Sequence, residues 1–130
     1  MEQKQLVPGV SGSACCLVTA ENTAAAMGSG DLPVLATPAM VALMENAAMM
    51  AARQSLPEES TTVGGQIATT HLRPTGLGHE VRAKATLVRE EGRKLYFRII
   101  AEDEDGVIGE ADHLRFVVDR ERFMAKVTTK

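Results

Sequence analysis

The sequence predicts an α+β fold in which a largely antiparallel sheet curls around one long apolar helix. Three observations carry that prediction. The run from Thr37 to Arg53 is apolar at almost every position, the pattern of a helix covered on all sides. From Thr61 onward the period changes to alternation, giving four strand-like stretches joined mainly by short hairpins. A fifth extended stretch precedes the helix. The order is therefore strand, helix, then four strands, which suits an antiparallel sheet rather than repeated strand–helix–strand units.

Composition agrees with one domain spanning residues 1–130. Hydrophobic residues make up 45% and charged residues 24%, ordinary for a globular chain. A chain of this length buries about two thirds of its unfolded surface. The net charge of −3 argues against a general nucleic-acid binder, and three Phe and one Tyr without Trp leave little for base stacking. The core must be aliphatic, drawn from seven Met and many Ala. Cys15 and Cys16 are sequence neighbours, too strained a pair for an ordinary disulfide and too few for a zinc site. They are expected as core or half-buried strand residues in a reducing compartment. The polar start, Met1 to Gln5, precedes no apolar segment of the export-signal kind, so the expected location is cytoplasmic.

Taken in order, residues 6–19 mix small and β-branched residues around Pro8, Gly9 and Gly12, with the strand itself expected over Ala14 to Thr19. Glu21 to Ala26 suits one helical turn capped by Asn22 or Thr23, and Met27 to Asp31 a loop. Thr37 followed by Pro38 is a helix start, a capping hydroxyl and then a proline whose fixed φ suits the first turn. The helix is expected to reach Gln54 or Ser55, because the residue before Pro57 is biased out of helical space. Its apolar run, Ala39 to Ala52, is shorter than the roughly 20 residues needed to cross a bilayer. Strands follow over Thr62 to Leu72, Glu80 to Arg89, about Leu95 to Ala101, and Val107 to Asp119. Val81, Ala83, Ala85 and Leu87 alternate with Arg82, Lys84 and Thr86, and Leu95, Phe97, Ile99 and Ala101 with Lys94, Tyr96 and Arg98. Glu90-Glu91-Gly92 and Asp105-Gly106 are the expected hairpin turns, and Glu121 to Val127 a short tail element.

Several chemistries are excluded by motif. Gly64-Gly65 lacks the Lys-Ser/Thr of a phosphate-binding loop, no GxGxxG opens a helix, and neither HExxH nor CxxC occurs. The segment Gly76-Leu77-Gly78-His79-Glu80 is not a GxSxG elbow. What remains is Thr37, Glu45, Gly64-Gly65 and His71. Glu45 is the single carboxylate inside the apolar run, and a buried unpaired charge costs several kcal/mol, so it needs a partner or a chemical role. His71 ends a strand facing the same way as Ile67 and Thr69; alone it reads as a surface group or as a proton-transfer group. Gly64-Gly65 reads as a β-bulge or as a place where a ligand meets the backbone closely. Thr37 is accounted for by capping, and His79 and His113 by structure. Thr37 and Glu45 share one helix face but stand about 12 Å apart along the axis. Any site they share needs His71, a substrate or a partner subunit between them.

The chain resembles the hot-dog-fold thioesterases, most closely the fluoroacetyl-CoA thioesterase-like group. The resemblance rests on Leu35-Ala36-Thr37 with Met40 to Glu45, then Gly64-Gly65-Gln66-Ile67-Ala68-Thr69-Thr70-His71, Glu91 to Leu95, Ile108-Gly109 and the tail Glu121 to Val127. It implies a curved antiparallel sheet around a central helix, built as a homodimer, with a tetramer as the further option, and with active sites at the subunit interface. It also implies hydrolysis of an acyl-CoA thioester by a catalytic set of Thr37, Glu45 and His71. Gly64 would lie near the thioester carbonyl, with Gly65 beside it. Arg73, Arg93, Lys94 and Arg115 are the candidate contacts for the phosphates of coenzyme A, Arg115 first among them as substrate-binding. Coenzyme A is part of the substrate, so no separate cofactor or metal is expected, nor a nucleic-acid or membrane partner. The segment Ala24 to Leu35 is shorter than the family's aromatic lid and has no aromatic residue, which points to a general short-chain acyl-CoA rather than to fluoroacetyl selectivity.

Two rival readings use the same scaffold. A hot-dog hydratase or dehydratase carries a paired Asp/His motif that this sequence lacks. A non-catalytic module binding acyl-CoA or another small ligand would have no need of Glu45.

Overall fold

The alternation read from the sequence becomes the inner face of a sheet. Val81, Ala83, Ala85 and Leu87 on one strand and Leu95, Phe97, Ile99 and Ala101 on the next are all 1% exposed or less. The computed structural model describes residues 7–129, so the polar N-terminus from Met1 to Gln5, and Leu6, lie outside the described residues. Its elements are β1 (Ser11–Leu17), α1 (Ala24–Met27), α2 (Thr37–Arg53), β2 (Ser60–His71), β3 (Glu80–Glu91), β4 (Lys94–Asp103), β5 (Gly106–Asp119) and α3 (Arg120–Thr128). The five strands form one sheet in the order β1-β3-β4-β5-β2, with every pairing antiparallel. No helix among the described residues is long and apolar enough to cross a membrane.

Helix α2 packs into this sheet along Met40, Leu43, Met44, Ala47, Ala48, Ala51 and Ala52, the i, i+3, i+4 spacing of one helix face. Small residues let the sheet come close. At Gly12 in β1 a Cβ would stand 2.4 Å from the Ala51 backbone nitrogen and 2.6 Å from the Ala47 carbonyl oxygen. That contact explains why β1 begins three residues earlier than expected: Gly12, a poor strand former by itself, is drawn into the strand by the helix it touches.

The expectation of a helix covered on all sides is corrected by the structure. Pro38, Ala42, Asn46 and Met50 are exposed, and Val41, Glu45 and Met49 half-buried, so α2 has a largely apolar open face in the single chain. A five-stranded sheet curls far enough to cover one side of a helix and no more. The helix start also differs. The N-cap is Ala36, without a side-chain cap bond, and Thr37 is the first helical residue. Thr23 caps α1, its hydroxyl accepting from the Ala26 amide at 3.2 Å.

The hairpin turns shift slightly from their expected places. One is Gly92–Arg93, with Gly92 at φ 61°; the other is Glu104–Asp105, with Gly106 at φ 125° opening β5. Both glycines supply the positive φ that a tight turn demands. Cys15 is exposed and Cys16 half-buried, because neighbouring strand residues face opposite sides of the sheet.

The approach to α2 is tied down from outside. The Leu35 amide donates to the Thr75 carbonyl at 2.9 Å. The Thr75 hydroxyl donates to Asp103 Oδ2 at 2.8 Å, and Arg73 Nη2 to Asp103 Oδ1 at 3.3 Å. Burial pushes the Asp103 carboxyl up, but the hydrogen bonds from Thr75 and the Asp105 amide, with the charges of Arg73 and His79, outweigh it and hold the pKa below its ordinary value. The segment that delivers Thr37 is thus anchored to the β4–β5 turn.

Candidate active site

Two groups of side chains flank the open face of α2. The first is at its N-terminal end. Freed from capping, the Thr37 hydroxyl lies 2.8 Å from His71 Nδ1 at the end of β2. Among the described residues His71 Nε2 is buried without a hydrogen-bond partner, and the contact with Thr37 runs through Nδ1. Burial lowers the His71 pKa, with a backbone hydrogen bond at Arg73 opposing, and the neutral imidazole is favoured near pH 7. The pair opens into a cleft of about 300 Å³ lined by Val34, Leu35, Leu72 and Pro74 among others.

The second group surrounds Glu45, two turns further along α2. Its Oε2 stands 3.7 Å from Arg115 Nη1 on β5. Arg115 is 6% exposed, and its other nitrogens are engaged: Nε donates to Thr62 Oγ1 at 2.8 Å and Nη2 to the Thr62 carbonyl at 3.0 Å. His113, 3% exposed, lies between the Gln66 carbonyl, 2.7 Å from Nδ1, and Arg115 Nη1, 3.2 Å from Nε2. Burial lowers the His113 pKa first of all; the Gln66 hydrogen bond and Glu45 raise it, while Arg115 lowers it. Burial likewise lowers the Arg115 pKa against the pull of Glu45, but a guanidinium starts so high that it stays charged.

Gly64 makes room for the carboxylate. A Cβ there would fall 2.6 Å from Glu45 Oε2 and 3.5 Å from both Arg115 Nη1 and His113 Cε1. The register of β2 on β5 slips between Gly64 and Gln66, leaving Gly65 without a register partner. Gly65 is needed for a different reason: its missing side chain is replaced by the ring of Phe116, 2.3 Å from where a Cβ would sit. Of the two readings the sequence allows for Gly64-Gly65, the structure shows the β-bulge, and the groups that approach the two glycines closely are this chain's own Glu45 and Phe116.

The structure therefore brings Thr37 to His71, and Glu45 to Gly64 and Arg115, in two groups rather than one. Arg115 differs from its expected place as a contact for coenzyme A phosphates, since its guanidinium is turned inward. Arg73 is held by Asp103 and by the Val107 carbonyl, 3.0 Å from its Nε, whereas Arg93 and Lys94 are exposed at the β3–β4 turn. His113, structural by its sequence context, lies beside Arg115 and Gly64 in the same group around Glu45. The signal was present in the period: Gly109, Ala111, His113 and Arg115 share the inward register of β5, and two basic residues facing an apolar core require a carboxylate or carbonyl opposite them. Among the described residues no cluster of three or more His, Cys, Asp or Glu is placed to hold a metal ion.

The family model described as fluoroacetyl-CoA-specific thioesterase matches residues 18–121. A fluoroacetyl-CoA thioesterase from Streptantibioticus cattleyicolor is 39% identical over 97 residues, which is 75% of this chain and 70% of that protein. The solved structure of the fluoroacetyl-CoA thioesterase FlK aligns with a TM-score of 0.89 at 32% identity over 98% of both chains. A Thermus thermophilus hypothetical protein described as a thioesterase superfamily member aligns at 0.88 and 27% identity over 96% of this chain and 93% of its own. An antiparallel sheet curled round one helix, shared almost end to end with these structures, is the hot-dog fold, and the chain belongs to the fluoroacetyl-CoA-specific thioesterase family.

Proposed function

We propose that the chain hydrolyses short-chain acyl-CoA thioesters and that Glu45, Thr37 and His71 carry the reaction. The observation that supports it best is the pocket built around Glu45. A helix that is otherwise apolar keeps one carboxylate, Gly64 gives up its side chain to it, and Arg115 is fixed beside it. In hydrolysis a carbon–oxygen bond forms at the thioester carbonyl, the carbon–sulfur bond breaks, and a proton passes to the departing thiolate. Glu45 attacks the carbonyl or takes the proton from the attacking water. Thr37 and His71, joined at 2.8 Å, orient the thioester and carry protons. Backbone amides at the Gly64–Gly65 bulge are the donors for the carbonyl oxygen as it becomes an oxyanion.

The acyl group is read from the cleft beside Thr37. Its walls from the segment before α2 are Ala24, Ser29, Val34 and Leu35, small or aliphatic and with no aromatic cover. That lining suits a short acyl chain in general and offers nothing specific to fluorine. The largely apolar open face of α2, together with the outer edge of β2, which among the described residues pairs only with β5, supports a homodimer whose interface closes the site.

The test is thiol release from a panel of acyl-CoA esters by wild type and Glu45→Gln. Wild type is expected to prefer short acyl groups, and Glu45→Gln to lose about 100-fold or more in kcat/KM. Unchanged turnover in the variant overturns the mechanism. Binding of CoA esters by wild type without thiol release would make the chain a binding module instead.

A further inference from the structure

We propose that His113 is a positioning residue for the reaction, holding the Arg115 guanidinium against Glu45 and bracing the Gly64–Gln66 bulge at the same time. The inference rests on Glu45 being the reacting carboxylate. It goes further by assigning a role to a buried side chain that touches neither the Thr37–His71 pair nor the open cleft beside it.

Hydrogen-bond logic sets the state of the ring. The Gln66 carbonyl can only accept, so His113 Nδ1, 2.7 Å away, carries a proton and donates it. A guanidinium can only donate, so Arg115 Nη1 at 3.2 Å donates to Nε2, which must be bare. The imidazole is thus neutral and in one tautomer. With Thr62 taking Nε and Nη2, His113 supplies the third acceptor that fixes the guanidinium plane. Nη1 then faces Glu45 Oε2 at 3.7 Å, close enough for charge to act and longer than a hydrogen bond. On its other side the ring stands against Gly64, its Cε1 3.5 Å from where a Cβ would sit. One neutral ring therefore touches both walls of the carboxylate pocket.

The charged groups near the ring are Arg115 on its own strand and Glu45 on α2, while its register partners Ile67 on β2 and Phe97 on β4 are uncharged. Protonating Nε2 would remove the acceptor and set two cations side by side. Burial, which disfavours the charged imidazole, keeps the arrangement intact near neutral pH.

A histidine that only filled core space could be exchanged for another side chain of similar size without catalytic cost, which separates the two roles. Three full-length variants are assayed for thiol release over a range of acyl-CoA concentrations. His113→Phe keeps the volume and makes neither bond. His113→Asn keeps a donor within reach of Gln66, and His113→Gln puts an acceptor within reach of Arg115. The expected result is a fall in kcat of about tenfold or more for Phe and Asn, with KM within about twofold, and recovery to at least about a third of wild-type kcat for Gln. A Phe variant with wild-type kcat, or a Gln variant no better than Asn, overturns the proposal. Nitrogen NMR of the wild-type imidazoles provides a reading that does not depend on any variant folding. It is expected to find His113 neutral and protonated at Nδ1 wherever the enzyme is active; a cationic ring or the opposite tautomer overturns the proposal. An inactive Glu45→Gln enzyme combined with the wrong tautomer sinks the His113 role alone, whereas a fully active Glu45→Gln enzyme sinks the reading of the carboxylate on which it rests.

Discussion

An alanine at position 64 would put its methyl 2.6 Å from Glu45 Oε2, so one of the two must move. The carboxylate is the softer partner, because its side chain is 41% exposed and free to swing outward. Gly64 has no positive φ, so the backbone tolerates alanine there. Gly64→Ala is therefore expected to cost catalysis rather than stability. We predict a loss of about tenfold or more in kcat/KM with a melting shift below about 4 °C, measured by thiol release and thermal unfolding. Unchanged kcat/KM would mean that the position of Glu45 has no bearing on the reaction. At this scale the sequence was partly legible. Glu45 stood out because a lone charge in an apolar run is costly, and Gly64-Gly65 because paired glycines weaken a strand without cause. Arg115 is legible only as a candidate phosphate contact and His113 only as a structural residue: the period puts both on one face of β5, but basic residues on strands are common and only the facing element shows that this face meets Glu45.

Among the elements, β1 and α2 come into close backbone contact at Gly12. Its missing side chain admits the Ala47–Ala51 backbone, and no rotamer change relieves a Cβ that meets backbone atoms at 2.4 and 2.6 Å. Gly12→Ala is expected to push β1 off the helix at a cost of about 2–3 kcal/mol, lowering the melting temperature by about 8–15 °C. A shift under about 2 °C would show that the two backbones are not in such close contact. Strand positions were readable from period two, and the inner faces of β3 and β4 match the expected alternation residue for residue. Ends were less readable. The start of β1 depends on a helix far away in sequence, and Thr37 gave up capping because His71, 34 residues on, offers its hydroxyl a partner. Local propensity has no knowledge of either.

For the whole molecule, the open face of α2 is the feature with most consequence. Val41, Ala42, Met49 and Met50 lie along it with Glu45 and Asn46, and β2 forms an edge of the sheet that no other strand among the described residues pairs. Largely apolar surface of this kind around a candidate active site invites a second copy of the chain. Sedimentation at micromolar concentration is expected to give a dimer, and a monomer that turns over acyl-CoA would refute an interface site. By itself the sequence determined the fold class, the central helix, the inner faces of β3 and β4 and the oddness of Glu45, because period and charge are local properties of a chain. Only the tertiary structure decided which residues meet that carboxylate, since Gly64, His113 and Arg115 come from strands distant in sequence and converge through sheet register. It also decided that the helix, apolar almost all round, has one side left open, because a sheet of five strands can curl round only part of it.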